Sequence, residues 1–378
     1  MIEQASRIKP CKHSRRHAQP ATQVVRCGVV GAGNSAHALS CYLAQQGHHV
    51  YLYARRAQQL AHLGPSPRLR ASGQIEGTFP LSGAGSDPRR LAQECSTLFV
   101  CTTATAYPDV IEQLAPFLHG GHTLILFSSK LCGSLEVERC LLEAGKPEVA
   151  VIETDALFAC RVQSDHSVWV RGFKGWNLFC SPRPFQTHTH RALIQRFFPQ
   201  LEPAQNLLHR GLTDFGALAH ALTVLVNVNS VDRGDPFLFY YQGFTENTVV
   251  LLEQLEREFQ NLAGAYGCSL LSASQLLNRY YQCETGSLLQ AMRSVPNYRH
   301  SQAPTTLSTR YLSEDVSCSL VPAQQLARLA GLESPMLDSI VAMASVLHGI
   351  DYRRQGRTLE KLGWGGYTAQ EISHWVND

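Results

Sequence analysis

The sequence predicts an α/β fold: an N-terminal Rossmann-type, doubly wound domain followed by an all-α C-terminal domain. Three observations predict it. The apolar run Arg26-Cys-Gly-Val-Val30 opens into the glycine-rich turn Gly31-Ala-Gly-Asn-Ser-Ala36. As far as about residue 208, strand-like runs alternate with helical stretches, the pattern of a parallel sheet covered on both faces. Beyond that point convincing strands disappear and helical spacing takes over.

The elements follow in order. Residues 26–30 are the first strand, 31–36 the turn, and 37–46 a helix stopped by Gly47. Residues 50–53, 98–101, 123–127 and 149–152 are further strands, with helical stretches near 89–94, 107–118 and 134–145. Residues 168–170 and 177–180 read as a hairpin-like extension around Gly172 and Gly175. Helical spacing then marks 214–230, 245–266, 270–283, 322–331 and 335–348. Gly267 and Gly331 are helix stops, and Pro335 occupies the first-turn position that proline tolerates. Three segments result: a basic disordered tail over 1–23, whose Arg-rich, acid-poor composition also suits a transit peptide, a dinucleotide-binding domain over 24–208 and a helical substrate domain over 209–378. The active site is expected in the cleft between the two domains.

Composition excludes several classes. A chain of 378 residues with 44% hydrophobic and 17% charged residues can bury a large core. Its net charge is +3. Arg7, Lys9, Lys12, Arg15 and Arg16 against Glu3 put +4 in the tail, which leaves about −1 for the rest and no basic stripe for nucleic acid. The tail lacks the apolar segment of a secretory signal, and the chain has no run of roughly 18 apolar residues to span a membrane. The twelve cysteines include no Cys-x-x-Cys, and Cys27, Cys101 and Cys180 fall in strand-like runs. Buried thiols in a reducing cytoplasm fit that pattern better than disulfides or a metal site, and no metal is expected.

Gly31 permits the tight turn, Gly33 lets the backbone approach a pyrophosphate, and Ala36 is small enough for close helix–strand packing. With Ala32, Asn34 and Ser35 they put free N–H groups at a helix start, where phosphate binds. NAD-binding chains place an acid at the end of the second strand. This chain has Ala54-Arg55-Arg56, two guanidiniums that suit a 2′-phosphate, so NADP(H) is favoured over NAD(H). Thr102 and Thr103 follow the strand at 98–101 and should line the cofactor.

The chemical site is expected downstream. His220, Asn227 and Thr223 share one side of a mainly apolar helix, with Asn229 close by. Arg310-Tyr-Leu-Ser-Glu-Asp315 offers Arg310 to hold a carboxylate through two hydrogen bonds. Asp315 can accept from one imidazole nitrogen and so fix the tautomer. Alone, that segment also reads as a solvated charge cluster, and a helical histidine as a core group.

These residues are shared with a known family. Gly-Ala-Gly-Asn at 31–34, Ile152-Glu-Thr, Ala159-Cys-Arg161, His220 seven residues before Asn227, Phe239-Tyr240 with Gly243, Arg310–Asp315 and Gly356-Arg-Thr-Leu359 resemble the octopine/nopaline (opine) dehydrogenases. The resemblance covers most of residues 26–366. It implies that an amino acid and a 2-oxo acid, pyruvate or 2-oxoglutarate, are joined through an imine that NAD(P)H reduces. It implies His220 as general acid/base with Asp315 as its partner, and Arg310, Asn227 and Tyr240 as substrate-binding residues. The family's proline after the histidine is Ala221 here. A homodimer is a candidate assembly, and neither a membrane nor nucleic acid is an expected partner.

Three other readings compete. Reductases of the glycerol-3-phosphate dehydrogenase or ketopantoate type use a helical-domain lysine, and residues 209–378 hold only Lys361. A non-catalytic NADP(H) sensor would not need His220 and Asp315 to meet. An opine-type metallophore synthase runs the same chemistry on a larger amine, and the sixteen histidines do not favour it.

Overall fold

The computed structural model describes residues 24–378, so the basic segment 1–23 lies outside the described residues. Twelve strands are formed: β1 (Arg26–Val30), β2 (His49–Tyr53), β3 (Arg68–Gly73), β4 (Gly77–Pro80), β5 (Gly83–Gly85), β6 (Thr97–Val100), β7 (Thr123–Phe127), β8 (Ala150–Thr154), β9 (Phe158–Val162), β10 (Val168–Phe173), β11 (Asn177–Cys180) and β12 (Leu201–Pro203). Eight make one sheet in the order β12-β11-β8-β7-β6-β1-β2-β5. Its central run β8-β7-β6-β1-β2-β5 is parallel, as the alternation predicts.

The strands are apolar on both faces because helices cover both. Val29, Leu52, Phe99, Ile125 and Ile152 pack on one side with Leu39 and Leu43 of the helix Asn34–Gln45. Leu98, Val100, Leu124 and Leu126 pack on the other with Leu91, Ile111 and Leu141 of the helices Pro88–Glu94, Tyr107–Leu114 and Gly133–Glu143. Burying each such side chain contributes roughly 1.5–3 kcal/mol.

One expected element is different. β10 and β11 do not form a hairpin. β10 pairs with β9 and β3 in a separate four-stranded sheet, β4-β3-β10-β9, whereas β11 joins the main sheet beside β8. The extra sheet lies on the helix Asn34–Gln45, where the Tyr42 ring packs 5.5 Å from Phe158 and 5.3 Å from Phe173. Periodicity within 168–180 cannot report which distant strand each run will meet.

From Leu207 onward the described chain is helical apart from one isolated bridge between Leu238 and Gln302. The helix Phe215–Val226 is its axis, with almost every residue buried. It packs on Glu246–Ala265, Pro335–His348 and Arg310–Asp315. Among the described residues no helix is long and apolar enough to cross a membrane, and no disulfide joins the cysteines.

Candidate active site

His220 sits midway along that axial helix. Its Nδ1 lies 2.9 Å from Asp315 Oδ2 and its Nε2 2.9 Å from the Tyr240 hydroxyl. The Tyr311 ring stacks on the imidazole at 4.1 Å. One short helix supplies both contacts, because Tyr311 and Asp315 are four residues apart and share a face. One side chain covers the ring while the other takes Nδ1. Arg310 and Glu314 form the adjacent pair, 3.4 Å apart. Glu314 also accepts from the Ala104 N–H at 2.8 Å, which ties this helix to the loop after β6. Beyond Asp315 the helix widens into a π turn, Val316–Leu320, a local distortion frequent at functional sites.

Asp315 is fully buried. Burial alone would raise its carboxyl, but Lys130 first and His220 second hold it well below the usual carboxylate range. The ionised carboxylate accepts from Nδ1–H, so Nε2 is the exchangeable position and accepts from Tyr240 O–H. Burial holds the Tyr240 phenol well above its ordinary range, so it stays protonated and remains a donor at neutral pH.

Lys130 was not foreseen. Its Nζ lies 2.6 Å from Asp315 Oδ1 and 3.1 Å from Asp214 Oδ2, with all three side chains buried. Asp214 in turn caps the His220 helix by accepting from Gly216 N–H at 2.8 Å. One ammonium therefore joins the histidine's partner to the histidine's helix. The loop that delivers it is strained: Ser128, Lys130 and Cys132 all have positive φ. Two buried arginines hold that loop by its carbonyls. Arg357 donates to Ser129 at 3.0 Å and Leu131 at 2.9 Å, and Arg210 donates to Lys130 O. Glu136 and Glu153 neutralise them at 2.6 Å each. The Glu153 and Arg357 motif positions thus serve the loop rather than the chemistry. Residues 209–378 hold only Lys361, and the lysine at this site comes from the other half of the chain. The only cue was its position at the carboxyl end of a parallel strand, where such sheets build sites.

His220, Tyr240, Tyr311, Arg310 and Lys130 line one cleft with Arg171, Lys174 and Asp155. Lys174 is paired with Asp155. Burial would raise the Asp155 carboxyl, but Lys174 and Lys130 bring it to about 2. Asn227 is not among the cleft's lining. Its amide donates to Thr223 O at 2.9 Å and Gly243 O at 3.1 Å, closing the end of its own helix against the next loop. That capping contact is one that seven-residue spacing on an apolar helix does not reveal.

A second pocket is lined by Gly31, Ala32, Arg55, Arg56 and Thr102. Gly31 has φ +132, a conformation that side chains resist, and its N–H donates to Tyr53 O at 2.8 Å. A Cβ on Gly33 would enter open space beside the helix start, where a phosphate would lie, and Ala36 is buried beneath. The buried Thr102 hydroxyl has no protein partner. These features fit a dinucleotide. Arg55 is exposed and reaches Asp109 at 3.6 Å, a loose surface pair, and Arg56 is exposed. Asn34 is diverted: its Oδ1 accepts from Val162 N–H at 2.8 Å and ties the turn to β9. Ser35 lies in the first turn of the helix, while Thr103 is exposed and accepts from the Thr105 hydroxyl at 3.1 Å.

Comparison with known proteins agrees with this fold. Residues 203–348 match the NAD/NADP octopine/nopaline dehydrogenase alpha-helical domain, and residues 27–129 match ketopantoate reductase PanE/ApbA. The chain is 31% identical over 346 residues to the opine dehydrogenase of Arthrobacter sp. (strain 1C), which covers 91% of this chain and 96% of that protein. An octopine dehydrogenase structure with NADH and agmatine has a TM-score of 0.73 at 19% identity, covering 92% of this chain and 98% of that one. A yersinopine dehydrogenase bound to NADP+ has a TM-score of 0.65 at 15% identity, covering 94% and 98%. With a parallel-sheet half, a helical half and His220 against Asp315 between them, the chain belongs to the opine dehydrogenase family of oxidoreductases.

Proposed function

We propose that the protein joins the amino group of an amino acid to a 2-oxo acid, pyruvate or 2-oxoglutarate, and reduces the resulting imine with NADPH in preference to NADH. The observation that carries this reading is the Lys130–Asp315–His220–Tyr240 array facing a cleft that also holds Arg310.

Arg310 holds the oxo acid carboxylate and so orients the carbonyl toward the imidazole. The free amine adds to the carbonyl carbon, and His220 Nε2 delivers a proton to the departing hydroxyl, which leaves as water. Asp315 stabilises the imidazolium that serves as the donor, and Tyr240 holds Nε2 in position. A bound dihydronicotinamide supplies the hydride that reduces the imine carbon. The product is a secondary amine bearing two carboxylates with pyruvate and three with 2-oxoglutarate, formed with loss of one water and consumption of one proton and one NAD(P)H.

The test is dihydronicotinamide oxidation in a grid of amino acids against pyruvate and 2-oxoglutarate. Oxidation that requires both partners supports the reading. Oxidation with the oxo acid alone moves the protein to the simple 2-oxo acid reductases, and binding without turnover leaves a sensor.

Two substitutions refine it. Arg310→Ala should raise the oxo acid KM roughly 10- to 100-fold, the worth of a charged hydrogen-bond pair, with kcat less affected. An unchanged KM assigns Arg310 to its pairing with Glu314. Replacing Arg55 and Arg56 together by serine should raise the Kd for NADPH by roughly tenfold or more and leave NADH nearly unchanged. Equal weakening of both would remove the NADPH preference from these arginines.

A further inference from the structure

Within the cleft, one cation among the described residues has no acid beside it. Lys130 is matched by Asp214 and Asp315, Lys174 by Asp155, and Arg310 by Glu314. Arg171 lines the same cleft, yet among the described residues no carboxylate pairs with it. Its Nη1 donates to the neutral Ser301 hydroxyl at 3.1 Å, and its Nε is buried with no partner among the described residues. A guanidinium placed this way has hydrogen-bonding capacity left over inside a site.

Its position has a backbone cause. β10 pairs with β9 as Val170 with Cys160 and then Gly172 with Ala159, so Arg171 is the extra residue of a β-bulge. A bulge turns one side chain out of the strand's alternation, and bulges gather beside active sites for that reason. The bulge is locked from behind, because a side chain at Gly172 would overlap Asn297. The Trp169 ring flanks the guanidinium at 5.8 Å. Arg171 and Arg310 reach the cleft from opposite halves of the chain. Both act on the Cys160 thiol, which burial pushes up to about 12 against the pull of the two arginines.

We propose that Arg171 is a specificity-determining residue that binds the second carboxylate of the condensing pair, leaving the first to Arg310. This rests on the opine-forming reading above. In that chemistry the second carboxylate is either the α-carboxylate of the amino acid or, with 2-oxoglutarate, the distal one. No lining acid is left without a cation, so the cleft selects carboxylates and offers no counter-ion to a second positive charge.

The experiment starts with the wild-type protein, where oxidation must require both amine and oxo acid. Failure there overturns the functional reading before Arg171 is changed. Arg171→Gln is then compared using the most active common amino acid, its decarboxylated amine, pyruvate and 2-oxoglutarate. We expect the amino acid KM to rise roughly 10- to 100-fold, as for loss of a charged hydrogen bond, with pyruvate KM unchanged. The decarboxylated amine should be equally poor with both proteins. A rise confined to 2-oxoglutarate supports the proposal with the distal carboxylate as ligand. A rise confined to pyruvate, or no rise, overturns it. Arg171→Lys keeps the charge and should recover part of the lost affinity; loss of affinity equal to that of Arg171→Gln overturns the charge-based role. An unchanged unfolding midpoint separates this effect from a folding defect.

Discussion

Replacing His220 by alanine should lower kcat by roughly two to four orders of magnitude while the Kd for NADPH stays nearly constant. The imidazole lines the cleft, with Nδ1 on Asp315 and Nε2 on the Tyr240 hydroxyl, each at 2.9 Å. The dinucleotide pocket is built from the Gly31 turn and the ends of β2 and β6, none of which touches the ring. Removing the ring should therefore leave that pocket intact. Steady-state kinetics with a parallel fluorescence titration of NADPH decides the matter. A loss of dinucleotide affinity as large as the loss of kcat would make His220 a structural residue.

The largest effect on stability should come from Lys130→Met. The change leaves Asp214 and Asp315 buried without their shared cation, and breaking a buried pair from one side costs about 3–5 kcal/mol. The denaturant midpoint should fall accordingly, with the slope unchanged. Adding Asp214→Asn should recover part of the loss, because the two sites share a partner.

The sign with pH follows from Asp315. Its folded-state carboxyl is depressed, so its contribution to stability is present above the unfolded value near roughly 3.9 and is lost as pH falls through the folded value. Without Lys130 only His220 opposes the upward push of burial, so the carboxyl protonates at higher pH. The acid limbs of both stability and activity should then move upward. An unchanged midpoint together with an unmoved acid limb would show that Lys130 does not hold the pair.

How much of this was legible depends on how local each feature is. The Gly31–Ala36 turn could be read because strand, glycines and helix are contiguous and each glycine answers a local steric demand. The short segment Arg310–Asp315 could be read because its charged ends are the groups an acid-binding, proton-moving site needs. The contacts of Asn227 to Thr223 and Gly243 could not be read because helical spacing gives a face but not what the face meets. Arg171 was missed because its role depends on a bulge, and a bulge is a property of two paired strands. Glu153 and Arg357 are visible as motif residues, yet the work of Arg357 on the 128–132 loop appears only where the chain returns from 226 to 228 residues away.

By itself the sequence determined the α/β alternation, the glycine turn and its helix and the helical second half, and it offered His220, Arg310 and Asp315 as candidates that the fold brings to one cleft. Hydrophobic period, turn chemistry and side-chain chemistry act over a few residues, so they survive in the order of the chain. Tertiary structure alone decided that Lys130 is the cation beneath Asp315, that β10 leaves β11 for another sheet, and that Arg171 points into the cleft. Those outcomes depend on groups 84 to 185 residues apart sharing one buried site, or on which strand lies beside which. The cost of burying charge without a partner then fixes the arrangement: each buried acid of this site must meet a cation, and the fold supplies it from whichever half of the chain is near.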